Sequence, residues 1–143
     1  MKKLIIICLF IPFVTKAQFT IVNTSTTNLV ELRSGTAPLN LQRIIKESDT
    51  CYVLEFRDQG YATEVIMATL RFPNMEQLKY FQKALSALKN GTSGDIAKFK
   101  DYTIKRVDVK KEGSFYILNC GAGPTTNFRQ PEADKMIAAI TTL

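Results

Sequence analysis

The sequence predicts an α+β fold in which an antiparallel sheet of five to six strands carries two helices packed on one face. Residues 52–88 show a strand–turn–strand–helix order, and residues 102–140 show a weaker copy of it. Alternating apolar and polar residues give the predicted sheet one apolar face for the helices. The two copies define a candidate ββα–ββα pseudo-repeat that aligns Gly113 with Gly60 and Val109 with Phe56. Two hairpin-plus-helix units without common origin are the alternative.

The first 17 of the 143 residues are predicted to be a signal peptide. Met1-Lys2-Lys3 is positively charged, residues 4–14 are apolar, and Thr15-Lys16-Ala17 has small residues where a signal peptidase cleaves. The apolar run is shorter than the roughly 20 residues that span a bilayer. We therefore expect cleavage after Ala17, a single α+β domain over residues 18–143, and export to the periplasm or the extracellular space.

Two strands are predicted before the first unit. Residues 19–27 are polar and indicate a leading arm or an edge strand, and residues 29–33 indicate the first core strand, which ends at Ser34-Gly35. Residues 39–45 fit either a strand or a short helix. We favour the strand, because it leads into a turn at residues 47–49.

The first unit is predicted as a strand over 52–57, a turn at 58–60, a strand over 63–72 and a helix over 75–89. Asn74 is placed as the N-cap with Gln77 three residues later, which is a capping-box arrangement. Apolar residues then recur at helical spacing, namely Leu78, Phe81, Leu85 and Leu88. Asn90-Gly91 ends the helix, with Gly91 expected in the left-handed conformation.

The second unit follows a polar surface connection at residues 90–100. It is predicted as a strand over 102–110, a turn at 111–113, a strand over 114–120 and a flexible connector at 121–126. The last helix begins near Pro131, which is tolerated at the first helical position. Its buried face is predicted to contain Ala133, Met136, Ile137 and Ile140.

Two cysteines, Cys51 and Cys120, remain after the predicted cleavage. An oxidising compartment permits a disulfide between them. The alternative is two separately buried thiols, because cysteine is among the most frequently buried residue types. The sequence does not decide whether the two strands that carry them are neighbours.

Several classes of catalytic site are excluded or disfavoured by composition. The chain has no His, which removes Ser-His-acid and Cys-His catalysis, and it has no CxxC motif. No metal site and no cofactor are predicted. Carboxylates alone can hydrolyse glycosides, and the candidates are Glu55, Asp58, Glu64, Asp108 and Glu112. We interpret Glu55 and Glu64 instead as residues of the solvated face.

The basic residues concentrate in the second half of the chain. The net charge of +6 falls to +3 once Lys2, Lys3 and Lys16 are removed, and residues 98–143 hold 8 basic against 5 acidic side chains. Basic and aromatic residues interleaved on a sheet are typical of surfaces that bind single-stranded nucleic acid or other polyanions. A β-bulge is expected at Lys105-Arg106. The candidate ligand-binding residues are Lys105, Arg106, Lys110, Lys111 and Tyr116.

These observations predict an exported, non-enzymatic binding or interaction module rather than an enzyme. Its partner is expected to be an unidentified protein or an anionic ligand, and export argues against nucleic acid as the physiological partner. A homodimer through a sheet edge or the open sheet face is a further expectation. The first alternative is polyanion or nucleic-acid binding through the basic second hairpin, and the second is a carboxylate-only hydrolase.

Overall fold

A computed structural model describes residues 23–35, 37–61 and 63–143, so the predicted signal peptide lies outside the described residues. The first half contains strands β1 (Thr24–Ser34), β2 (Ala37–Lys46), β3 (Asp49–Arg57) and β4 (Met67–Phe72), then helix α1 (Met75–Lys89). The second half contains β5 (Ile96–Lys98), β6 (Thr103–Val109), β7 (Gly113–Asn119) and β8 (Thr125–Arg129), then helix α2 (Gln130–Thr141).

The strands divide into two antiparallel sheets of four strands, in the orders β1-β2-β3-β4 and β5-β6-β7-β8. The α+β class and the two helices are confirmed, whereas a single sheet of five to six strands is not. The ββα–ββα pseudo-repeat is not confirmed either, because four strands precede each helix. Gly60 follows the third strand of its half but Gly113 follows only the second, so the predicted alignment is displaced by one strand.

Helix α1 has the predicted bounds and Asn74 is its N-cap as predicted, but the described hydrogen bonds include only one half of the expected capping box. Asn74 Oδ1 accepts the backbone N–H of Gln77 at 3.0 Å. The C-terminus differs from the prediction, because Asn90 is in a right-handed conformation (φ −93°) and Gly91 is not among the glycines of positive φ. The N–H groups of Asn90 and Gly91 instead bond back to Ala87 O and Leu88 O, which tightens the last turn.

One hydrophobic core contains buried residues from both sheets and both helices. On the first sheet, the inward pairs include Leu41 with Leu54 and Leu54 with Leu70. On the second sheet, Ile104 pairs with Leu118. The predicted stripe of α1 is fully buried, and so is that of α2 except Ile137, which is partly buried.

Each helix packs against both sheets, which holds the two halves together. Helix α1 contacts β3 and β4 as well as β5 and β6, and α2 contacts β1 as well as β7 and β8. The helices also contact each other. Lys89 Nζ lies 2.8 Å from Asp134 Oδ1, and Gln82 Nε2 donates to Ile137 O at 3.1 Å.

Of the two alternatives left open for Cys51 and Cys120, the structure shows two free thiols and no disulfide. Cys51 lies near the start of β3, whereas Cys120 follows β7 and lies near Asp58, at the opposite end of β3. The seven residues from Cys51 to Asp58 are extended and cover roughly 20 Å. This distance is well beyond the Cα separation of about 4.4–6.8 Å that a disulfide requires. Both thiols are partly buried.

We expect Phe81→Ala to lower the free energy of unfolding by about 3–5 kcal/mol, because it leaves a cavity in a packed core. The Phe81 side chain is fully buried and its ring lies 5.1 Å from the Phe72 ring. Tyr80→Ala is the matched control, since Tyr80 is the adjacent aromatic residue of α1 and is 44% exposed. Urea denaturation checks both variants. A loss in Tyr80→Ala equal to that in Phe81→Ala would contradict the orientation of α1.

The contact between the helices should weaken at low pH. The hydrogen bond from Lys89 holds the pKa of Asp134 below its ordinary value. A carboxylate with a lowered pKa contributes its full stabilisation at pH values above the unfolded-state pKa, which is about 3.9 for Asp. This stabilisation is lost as the pH falls through the lower pKa of the folded state. We therefore expect Asp134→Asn to be less stable than the parent protein at pH 6 and equal to it near pH 2. Urea denaturation across this range measures the difference, and a gap that persists at pH 2 would contradict the ion-pair explanation.

Candidate functional site

The hairpin of β6 and β7 contains the predicted ligand-binding residues, and its register places them on different sides of the second sheet. Arg106 pairs with Tyr116 in one row of the inward face, whereas Lys105 pairs with Ile117 on the outward face. Lys110 and Lys111 are exposed at the turn. The register from Thr103 to Val109 is continuous, so the expected bulge at Lys105-Arg106 is absent.

The Arg106 guanidinium binds the C-terminal end of α1. Its Nη1 atom donates to Leu88 O at 2.9 Å, to Lys89 O at 2.6 Å and to Gly91 O at 2.8 Å. The last carbonyls of a helix have no partners within the helix and carry partial negative charge. Arg106 therefore caps α1 from the second sheet, and its side chain is only 14% exposed.

The remaining guanidinium nitrogens of Arg106 are also bonded within the hairpin. Nε lies 2.9 Å from Asp108 Oδ1, and Nη2 donates to Ser114 Oγ at 3.1 Å. The hydrogen bond to Asp108 raises the pKa of Arg106 and lowers that of Asp108. An anionic ligand would have to displace these contacts to bind Arg106.

The Tyr116 ring is fully buried and packs against the Phe128 ring, with centroids 5.7 Å apart. Its hydroxyl donates to Gln130 Oε1 near the start of α2. Burial raises the pKa of the hydroxyl. The ring is therefore not exposed for stacking with a ligand, and the candidate residues whose side chains are exposed are Lys105, Lys110 and Lys111.

The outward side of the second sheet, here called the open face, surrounds Lys105. The apolar residues of the open face are Ile96, Val107, Val109, Phe115 and Ile117, the basic ones are Lys98, Lys105 and Arg129, and the uncharged polar ones are Thr103, Asn119, Thr125 and Asn127. None of these outward residues of β5, β6, β7 and β8 is acidic. Ile96 and Val109 are 49% and 40% exposed, so part of the apolar surface of the open face is in solvent.

Basic groups lie at intervals across the open face. From strand spacing and rise per residue, the Cα atoms of Lys98 and Lys105 are separated by roughly 8 Å, and those of Lys105 and Arg129 by roughly 12 Å. The Arg129 guanidinium carbon lies 5.4 Å from the centre of the Phe115 ring, which is a cation–π contact. Gln59 Nε2 donates to Asn127 Oδ1 at the β8 edge. The first sheet differs, because its outward face has charges of both signs, such as Glu55 and Arg57.

The candidate catalytic carboxylates are held separately. Glu55 accepts a hydrogen bond from Asn40, Asp108 pairs with Arg106, and Glu64 and Glu112 are exposed. No hydrogen bond among the described residues joins two of these acids. Catalysis by carboxylates alone therefore gains no support from their geometry.

The structural role of the Asp58 carboxylate was not predicted from the sequence. It is only 6% exposed, and its Oδ1 accepts the N–H of Gly60 at 2.9 Å and of Thr125 at 3.0 Å. Gln59 N also donates to Thr125 O at 2.7 Å. Asp58 therefore joins the β3–β4 loop to β8. Burial, followed by the Asp58 charge, raises the pKa of the nearby Cys120 thiol.

A cavity of about 560 Å³ lies between β1, β2 and α2. Its charged residues are Glu31, Arg33, Glu132 and Lys135, so neither sign dominates. Glu132 Oε2 accepts the Arg129 N–H at 2.9 Å and thus caps α2. This groove therefore lacks the excess of positive charge that the open face has.

Comparison with known proteins gives no assignment. No family model matches the chain, and neither the curated proteins nor the solved structures give a significant match. Among the described residues, no group of three or more Cys, Asp or Glu could hold a metal ion. Neither helix in that part of the chain is long and apolar enough to cross a membrane.

We expect Arg106→Gln to destabilise the fold by about 2 kcal/mol, because several charged hydrogen bonds are lost at once and the α1 carbonyls lose their cap. Lys105→Gln removes the same charge from the next residue, whose side chain is exposed, and should change stability by no more than about 0.5 kcal/mol. Thermal and urea unfolding measure both. Equal effects would show that the Arg106 contacts do not stabilise the fold.

Proposed function

We propose that the protein is an exported, non-enzymatic binding module that binds an extended anionic ligand on the open face and at the adjacent lysines of the β6–β7 turn. The main support is the charge pattern of the open face, where Lys98, Lys105 and Arg129 have no acidic neighbour on the same face. Lys110 and Lys111 extend this basic surface to the tip of the hairpin.

The shape and chemistry of the open face favour a polymer rather than a small anion. A small anion needs several donors that converge on one point, whereas the basic residues here have Cα atoms separated by roughly 8–12 Å across the sheet. Between them lie the half-buried side chains of Phe115, Ile117 and Val107. Cations that follow the charged groups of a polymer, with apolar surface between them, are the arrangement found in polyanion-binding sheets.

Export is part of this proposal and determines which polyanions are relevant. After cleavage at Ala17 the protein would meet anionic glycans and acidic protein segments more often than nucleic acid. Mass spectrometry of the exported protein should give Gln18 as its first residue. An N-terminus at Met1 in the exported protein would contradict the predicted cleavage.

We expect the protein to be retained on immobilised heparin and to elute as salt rises, because binding a polyanion releases its counterions. The double variant Lys110→Ala/Lys111→Ala should elute at lower salt. Its plot of log affinity against log salt concentration should be shallower by about 2, since each lysine that contacts a charged group contributes roughly 1 to the slope.

The matched control is Lys79→Ala/Lys83→Ala, which removes the same charge from exposed positions on α1. Lys105→Ala tests the open face itself. If the control and the Lys110/Lys111 variant shift equally, retention depends on net charge alone and the proposed surface is wrong. Absence of retention of the parent protein at low salt would contradict polyanion binding altogether.

A further inference from the structure

Strand β4 forms one edge of the first sheet and leaves a row of backbone groups unpaired. Asp58 N donates to Ile66 O at 2.8 Å, so these two opposed residues form a hydrogen-bonded pair. Along the β3–β4 register, every second residue of β4 then bonds to β3 and the residues between them do not. The N–H and C=O groups of Ala68, Leu70 and Phe72 therefore point towards β3. Those of Met67, Thr69 and Arg71 point away from the sheet, and no described strand lies beside them.

The other edges of the two sheets are protected, whereas β4 is less so: only its end, from Leu70 to Phe72, lines a cleft with Lys100, Asp101 and Tyr102. β1 has a register shift between Asn28 and Val30 and contacts both α2 and β8. β5 has only three residues, and the start of β8 is bonded to the Asp58 loop. β4 has six residues in continuous register, with no internal Pro and no inward charge. Edges without bulges, prolines or inward charges are templates for pairing with another strand.

We propose that β4 pairs antiparallel with β4 of a second copy of this chain, about a two-fold axis at Thr69. The outward backbone groups of Met67, Thr69 and Arg71 are spaced so that each meets a counterpart in this register. Met67 faces the partner's Arg71, and Thr69 faces the partner's Thr69. Such a pair forms six backbone hydrogen bonds and joins the two first sheets into one sheet of eight strands.

The side chains in this register match a second copy of the same strand. On the outer face, the two Thr69 side chains are directly opposite each other, and Thr–Thr pairs across antiparallel strands are favourable. Arg71, the one charged residue of β4, faces the partner's Met67, so no like charges are opposed. On the inner face, Ala68 faces the partner's Leu70. The same surface patch is used by both copies, as a two-fold interface requires.

Exposed apolar residues cluster beside this edge. Val65 and Met67 are 70% and 40% exposed, and both lie at or just before the start of β4. The register brings Val65 opposite the partner's Pro73 and covers Met67 with the stem of the partner's Arg71. The proposed dimer therefore covers part of an apolar surface that the single chain leaves in solvent. It uses the first sheet and does not depend on ligand binding at the open face.

We expect the parent protein to show a concentration-dependent equilibrium between monomer and dimer in analytical ultracentrifugation. Thr69→Lys should raise the dissociation constant by roughly tenfold or more, because the two lysines would be opposed across the axis. Thr69 is exposed and its N–H does not bond to β3, so the monomer should keep its circular dichroism spectrum and unfolding midpoint. Thr27→Lys, an exposed residue on the β1 edge of the same sheet, is the matched control.

A cross-link tests the register. In a background with Cys51→Ser and Cys120→Ser, Thr69→Cys should form a covalent dimer on mild oxidation, because directly opposed residues have Cα atoms about 5.5 Å apart. Thr27→Cys in the same background should remain monomeric. A strictly monomeric parent protein, a dimer that Thr69→Lys does not weaken, or cross-linking only at Thr27 would each overturn the proposal. A loss of heparin binding without a change in dimerisation would affect only the proposed function.

Discussion

The contacts of one guanidinium join the second sheet to the end of the first helix. Arg106 reaches the carbonyls at the end of α1 from the inward face of β6, so its row of the sheet must face the helices. Because side chains alternate along a strand, Lys105 then points outwards. Arg106 is therefore held by structural partners, whereas Lys105 is exposed. The binding surface that we propose follows from this alternation of side chains.

No hydrogen-bonded strand pair among the described residues joins the two sheets. They are held together instead by the helices and by one loop. Both helices contact both sheets, and Asp58 ties the β3–β4 loop to β8 through the Thr125 N–H. A carboxylate that is almost fully buried needs such donors to offset the loss of water. This arrangement explains how strands of two sheets enclose one core.

Local patterns predicted the elements well but not their assembly. The Asn74 cap and the apolar stripe of α1 were sufficient to place that helix, whereas β5 and β8 were missed because one has three residues and the other a single large apolar side chain, Phe128. Pairing between strands depends on contacts that no local window contains, which is why two sheets were predicted as one. For the site, the sequence suggested the basic hairpin as a candidate but could not separate exposed Lys105 from Arg106, since the carbonyls that bind Arg106 belong to another element.

The Asp58–Thr125 contact also bears on the order in which the chain folds. Each strand pairs only with its neighbour along the chain, so both sheets consist of short-range pairings, whereas this contact joins residues 67 positions apart. Closing so long a loop costs chain entropy that local hairpins do not. We therefore expect this junction to close last. Until it does, a half from one molecule can dock onto the complementary half of another, which makes this junction the point at which domain swapping would begin.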